Sequence, residues 1–155
     1  MPDFTYHEMF PLEEDTTAYR VLTTKHVGLE KFNGSDILTV EGEGITKLAA
    51  QAFYDSAHFL RPGHLKQLAS ILGDKDASPN DHFVVWDLLK NANIAAGGIL
   101  PMCQDTGTAI IMGKKGQQVW TDGDDEAALA AGVLKTFTES NLRYSQLSPL
   151  SMYEE

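Results

Sequence analysis

From Ile45 to Phe137, apolar side chains return at the 3.6-residue spacing of an α-helix in four runs, and this constrains the fold more than any other feature of the chain. The first run, through Ile45, Leu48, Ala49, Ala52, Phe53 and Phe59-Leu60, stops at Arg61-Pro62. A second spans about Gly63 to Leu72, with Gly73 just past its end. The third begins with Ser78 as N-cap, Pro79 in the first helical position and Asp81 in the first turn, and it runs to about Ala96 before Gly97-Gly98. The fourth follows Asp124, Asp125 and Glu126, acids suited to a helix N-terminus, and continues through Val133, Leu134 and Phe137.

The remaining sequence reads as strand and loop. Residues 1–44 are broken by Pro11, Gly28, Asn33-Gly34, Gly42 and Gly44, and form an extended, irregular segment whose best strand candidates are residues 19–24 and 36–40. Residues 45–155 form the helical body. Within it, apolar Ala109 to Met112, a turn over Gly113 to Gly116 and a return over Gln117 to Thr121 predict a hairpin. A chain of 155 residues, 43% of them hydrophobic, has material for one core rather than two. The expectation is one α+β domain, dominated by helices and carrying a small antiparallel β-hairpin.

Charge and composition exclude several classes. A net charge of -10 repels a phosphate backbone, which argues against nucleic acid as a partner. No stretch approaches the roughly 20 apolar residues of a membrane helix. The opening residues lack the basic and apolar regions of a signal peptide, so a cytoplasmic location is expected. A lone cysteine, Cys103, cannot form a disulfide within the chain.

The densest chemistry lies at Cys103-Gln104-Asp105-Thr106-Gly107-Thr108, which combines a soft metal ligand, an amide, a carboxylate, two hydroxyls and a glycine. On pattern alone, the bland alternative is a small buried cysteine followed by ordinary turn residues. Paired-cysteine, HExxH, phosphate-loop and dinucleotide motifs are missing from the sequence. The histidines are distant in sequence; His58 and His64 flank a helix end and read as surface or core-edge positions. Lys114 and Lys115 fall at the expected hairpin tip, and Trp120 reads as packing more readily than as a cover for the site.

Residues 99–133 and 141–153 resemble the N-terminal signature of class I fumarate hydratases, and residues 4–23, 59–72 and 77–98 are similar in order and spacing. The most specific segments are Cys-Gln-Asp-Thr-Gly-Thr and Asn-Leu-Arg-Tyr-Ser-Gln. The resemblance implies a hydro-lyase of the tricarboxylic acid cycle that reversibly hydrates fumarate to (S)-malate. Its 4Fe-4S cluster is held by three cysteines and acts as a Lewis acid through its open iron. By the same resemblance Cys103 is one of the cluster cysteines, Gln104, Asp105 and Arg143 bind the dicarboxylate, and Asp105 is the candidate for proton transfer.

Such enzymes continue for several hundred residues. The resemblance therefore implies a C-terminal domain that supplies the other two cysteines, a homodimer when full-length, and a fragment that holds no cluster and lacks activity alone. The alternatives are a tartrate dehydratase-like subunit, or a non-enzymatic binding or assembly module derived from the family.

Overall fold

A computed structural model describes residues 4–7, 18–103 and 108–143. Along the chain these form β1 (Val27–Phe32), β2 (Ser35–Val40), α1 (Gly42–His58), α2 (Pro62–Ile71), α3 (Pro79–Ala95), β3 (Val119–Thr121) and α4 (Asp125–Glu139). The architecture is the expected helix-dominated α+β domain with one small antiparallel hairpin. All four apolar runs fold as helices. Among the described residues, no helix is long and apolar enough to cross a membrane.

Helices α1 and α4 make the central contact. Thr46 Oγ1 donates to the carbonyl of Ala128 at 2.9 Å, and Thr136 Oγ1 donates to that of Ala50 at 2.8 Å. Phe53 and Phe137 meet in a tilted ring contact at 6.3 Å. These pairs ascend together along both helices, so α1 and α4 run side by side in the same direction. Between them Gly132 faces Ala49 with no room for a side chain: a Cβ at residue 132 would lie 2.5 Å from the Thr46 carbonyl oxygen and 2.6 Å from the Ala49 Cβ. The helices approach this closely because the facing positions are Gly and Ala.

The hairpin lies elsewhere than the sequence suggested. It is formed by β1 and β2, paired from Val27↔Val40 to Phe32↔Ser35 around a two-residue turn. Asn33 and Gly34 have φ of 48° and 82°, the left-handed pair that a type I′ turn requires. The predicted hairpin over 109–121 does not form: residues 108–116 contain no strand, and only Val119–Thr121 is extended, pairing parallel to β2. Of the two strand candidates near the N-terminus, residues 36–40 lie in β2, whereas the described residues 19–24 are not strand.

Because β3 joins β2 in parallel and α4 joins α1 in parallel, the domain consists of two adjacent strand-helix units. A long-range bond fastens their junctions, Gly42 N–H to Asp122 Oδ1 at 2.7 Å. Trp120 on β3 packs against Phe32 of β1, with ring centroids 5.3 Å apart.

Local chemistry sets the helix starts. Ser78 and Asp81 form a capping box: the Asp81 amide donates to Ser78 Oγ at 3.2 Å, and the Ser78 amide donates to Asp81 Oδ2 at 2.8 Å. That amide, with the Ser78 hydroxyl, holds the Asp81 carboxyl below its ordinary pKa. At the start of α4, Asp124 Oδ1 accepts from the amides of Glu126 and Ala127. Lys115 is exposed, as expected, but lies on no hairpin tip: it reaches Asp125 at 2.6 Å and Thr121 Oγ1 at 3.2 Å, tying the segment before β3 to α4.

The Lys115 hydrogen bond, followed by that of Thr121, holds the Asp125 carboxyl below its ordinary value of 3.8. A depressed folded-state pKa contributes stability that is present above the unfolded value and is lost as pH falls through the folded one. Lys115→Met should therefore flatten the acid limb of the stability profile. Urea unfolding between about pH 6 and pH 2.5 measures this, and an unchanged acid limb would remove the clip from the account.

Candidate functional site

The segment that delivers Cys103 begins where α3 ends. Gly98 has φ of 74°, a conformation that favours glycine, and a Cβ there would meet the Tyr54 hydroxyl and displace it. Tyr54 Oη then donates to the Gly98 carbonyl at 3.2 Å. Asn141 Nδ2 donates to the Ile99 carbonyl at 3.1 Å. The Met102 amide donates to the Ala57 carbonyl at 2.9 Å, and Asn91 Nδ2 donates to the Met102 carbonyl at 2.8 Å. Four hydrogen bonds, from α1, α3 and the residue beyond the C-cap of α4, thus fix the backbone immediately before Cys103.

Cys103 is exposed and outside any disulfide. It lines a pocket of about 260 Å³ with Met102, Thr108 and Ala109, with Phe53, Ser56, Ala57 and Phe137 from α1 and α4, and with Leu142 from beyond the end of α4. Most of the lining is aromatic or aliphatic, so a charged or metal-bound group beside Cys103 would have low-dielectric surroundings on one side.

The described start of the second segment singled out in the sequence, residues 141–143, lies close by. After α4, Ser140 leaves helical geometry and Asn141 takes a left-handed φ of 55°, a conformation that asparagine tolerates at helix ends. The turn directs the Asn141 side chain to Ile99 and buries Leu142 to 8% exposure in the wall of the Cys103 pocket. Arg143, the next residue, is exposed. Cys103 and the Asn141-Leu142-Arg143 turn are therefore neighbours in space, although about 40 residues separate them in the chain. Gln104 and Asp105, also expected at the site, lie outside the described residues, as do Thr106 and Gly107.

Sequence reasoning missed the anchors. Tyr54 and Asn91 occur within ordinary helical runs, and nothing local marks them. His58 was read as a surface or core-edge position but is wholly buried, whereas its companion His64 is exposed. Among the described residues, no three His, Cys, Asp or Glu side chains gather in a metal-binding group.

Comparison with known proteins places the chain in a family. The model of the fumarate hydratase (fumerase) family matches residues 46–155. The aerobic class I fumarate hydratase of Escherichia coli K12 is 57% identical over 152 residues, which is 98% of this chain and 28% of that protein. The anaerobic class I enzyme of the same strain is 54% identical over the same share of both chains. The mitochondrial fumarate hydratase 1 of Leishmania major is 48% identical over 141 residues, 90% of this chain and 26% of that protein. The chain thus spans little more than a quarter of the length of these relatives. With identity this high along almost its whole length and a family model covering most of it, the chain belongs to the fumarate hydratase family, alongside its class I members.

Proposed function

We propose that this chain is the N-terminal part of a class I fumarate hydratase and contributes one cluster ligand and part of the substrate site to the reversible hydration of fumarate to (S)-malate. The meeting of Cys103 and Leu142 in one pocket, with the neighbouring Asn141 bonded to the segment that leads to Cys103, supports this reading. When bound, a 4Fe-4S cluster supplies a Lewis acid that polarises the substrate's hydroxyl and carboxylate. Cys103 suits the role of ligand: its thiolate is soft, it is exposed and lines the pocket, and the backbone before it is fixed. With one cysteine in these 155 residues, the other two thiolates must come from outside them, and we infer that 1–155 alone does not turn over fumarate.

The chain's own residues divide the remaining work. Arg143 clasps a substrate carboxylate with two parallel hydrogen bonds, a local positive charge in a chain of net charge -10. Gln104 donates an amide hydrogen bond to the dicarboxylate, and Asp105 holds or passes the proton that moves during hydration. The exposed apolar residues beside the site, Ile99, Leu100, Ile110 and Met112, suit packing against a C-terminal domain. Homodimerisation of the full-length protein and a cytoplasmic location belong to the same proposal.

Anaerobic kinetics of the full-length, cluster-loaded protein test the assignment. Arg143→Ala is expected to lower kcat/KM for fumarate on the order of 100-fold, matching a lost charge-assisted pair of about 3 kcal/mol. Unchanged kcat/KM removes Arg143 from the substrate site. Asp105→Asn should slow turnover by roughly 100-fold or more with iron content intact; a fully active variant excludes it as the proton-transfer group.

A further inference from the structure

His58, the last residue of α1, has no solvent exposure. Its Nδ1 lies 2.8 Å from the Tyr54 carbonyl oxygen. A carbonyl can only accept, so Nδ1 carries the proton and donates. Nε2, at the other end of the ring, is buried and has no hydrogen-bond partner among the described residues. A phenylalanine would fill similar space without burying that unpaired nitrogen, so packing alone does not account for a histidine here.

The ring's surroundings supply a reason. It stacks on Tyr54 with centroids 4.3 Å apart and planes at 27°. Tyr54 Oη holds the Gly98 carbonyl, and the carbonyl of Ala57, the residue before His58, holds the Met102 amide. The last turn of α1 thereby grips both ends of Gly98–Met102, the segment that presents Cys103. Among the described residues, His58 is the one side chain that both bonds to the backbone of this turn and stacks on the tyrosine that makes the grip.

We propose that His58 is a positioning residue, which fixes the Tyr54 ring and the end of α1 and through them sets the placement of Cys103. Its importance for catalysis rests on the reading that Cys103 serves the hydratase reaction. The placement itself can be measured without that reaction.

The test uses the full-length protein stripped of its cluster, with amide hydrogen exchange over peptides spanning residues 98–103 and the alkylation rate of Cys103 as readouts. His58→Phe keeps a stacking ring and loses the donor, Tyr54→Phe keeps the ring and loses the Gly98 bond, and His58→Asn keeps a donor near the position of Nδ1. We expect both phenylalanine variants to raise exchange in this segment about tenfold and to change Cys103 alkylation, with exchange elsewhere unaltered, and His58→Asn to restore most of the protection. Should His58→Phe fail to fold, Tyr54→Phe and His58→Asn decide the matter on the same readouts. Unchanged exchange and alkylation, or an increase spread evenly over the whole protein, overturns the proposal. Full activity in Cys103→Ser would overturn the hydratase role of Cys103 and leave these readouts to judge His58 alone.

Discussion

Valine at position 132 is expected to prevent stable folding of the domain, and even alanine should cost about 2–3 kcal/mol. Two effects oppose each other in the alanine variant. Replacing glycine inside a helix gains up to about 1 kcal/mol from backbone entropy. Against that, the new Cβ would lie 2.5 Å from the Thr46 carbonyl oxygen, 2.6 Å from the Ala49 Cβ and 2.9 Å from the Ala50 amide nitrogen. Two of the three neighbours are backbone, so relief requires moving α1 away from α4, which would strain both threonine bridges between the helices. Gly63 provides the internal control, since a Cβ there meets nothing within 4 Å and Gly63→Ala should be neutral or stabilising. Urea and thermal unfolding of the pair decide the case. Equal stability of Gly132→Ala and the parent would show that the helices are less tightly apposed than described.

The second large effect concerns chemistry rather than folding. Cys103→Ser in the full-length protein is expected to abolish stable cluster assembly and reduce fumarate hydration to background, because a serine hydroxyl is a harder and far less acidic donor to iron than a thiol. The anchors at Gly98, Ile99 and Met102 use backbone carbonyls and an amide, not the Cys103 side chain. The substitution should therefore leave the fold intact, so unchanged unfolding together with lost iron is the expected result. Normal iron content and full activity would remove Cys103 from the ligand set.

The helices were legible because each has an apolar period, reinforced by caps at Ser78 and Asp124 for α3 and α4 and by proline or glycine after α1, α2 and α3. Where α1 begins was less so. Gly42 is bonded by Asp122, 80 residues away, and no local pattern announces that partner. The hairpin was misplaced for a related reason. Asn33-Gly34 is a strong I′ turn signal, yet β1 is exposed along its whole length and lacks an alternating apolar face to draw attention. Residues 109–112 are apolar but have no ladder partner, while Val119–Thr121 pairs with a strand near the other end of the domain. At the site, resemblance pointed to Cys103 and Arg143, and the structure adds the grip of Tyr54, Asn91 and Asn141, contributed by three helical regions that come together only on folding.

The parallel pairing of the two strand-helix units also sets an order of events during synthesis. Ala50 and Thr136, bonded across α1 and α4, are 86 residues apart. At roughly 5–20 residues per second, α1 leaves the ribosome about 4–17 s before its partner helix exists. The hairpin and the first three helices can form in that interval, but the small-residue face of α1 waits for α4, and closing so long a loop slows the docking step further. Cys103 emerges within this window, ahead of Asn141, which completes its anchorage. The thiol that the folded domain presents on a fixed segment thus spends its first seconds on an incompletely tethered one.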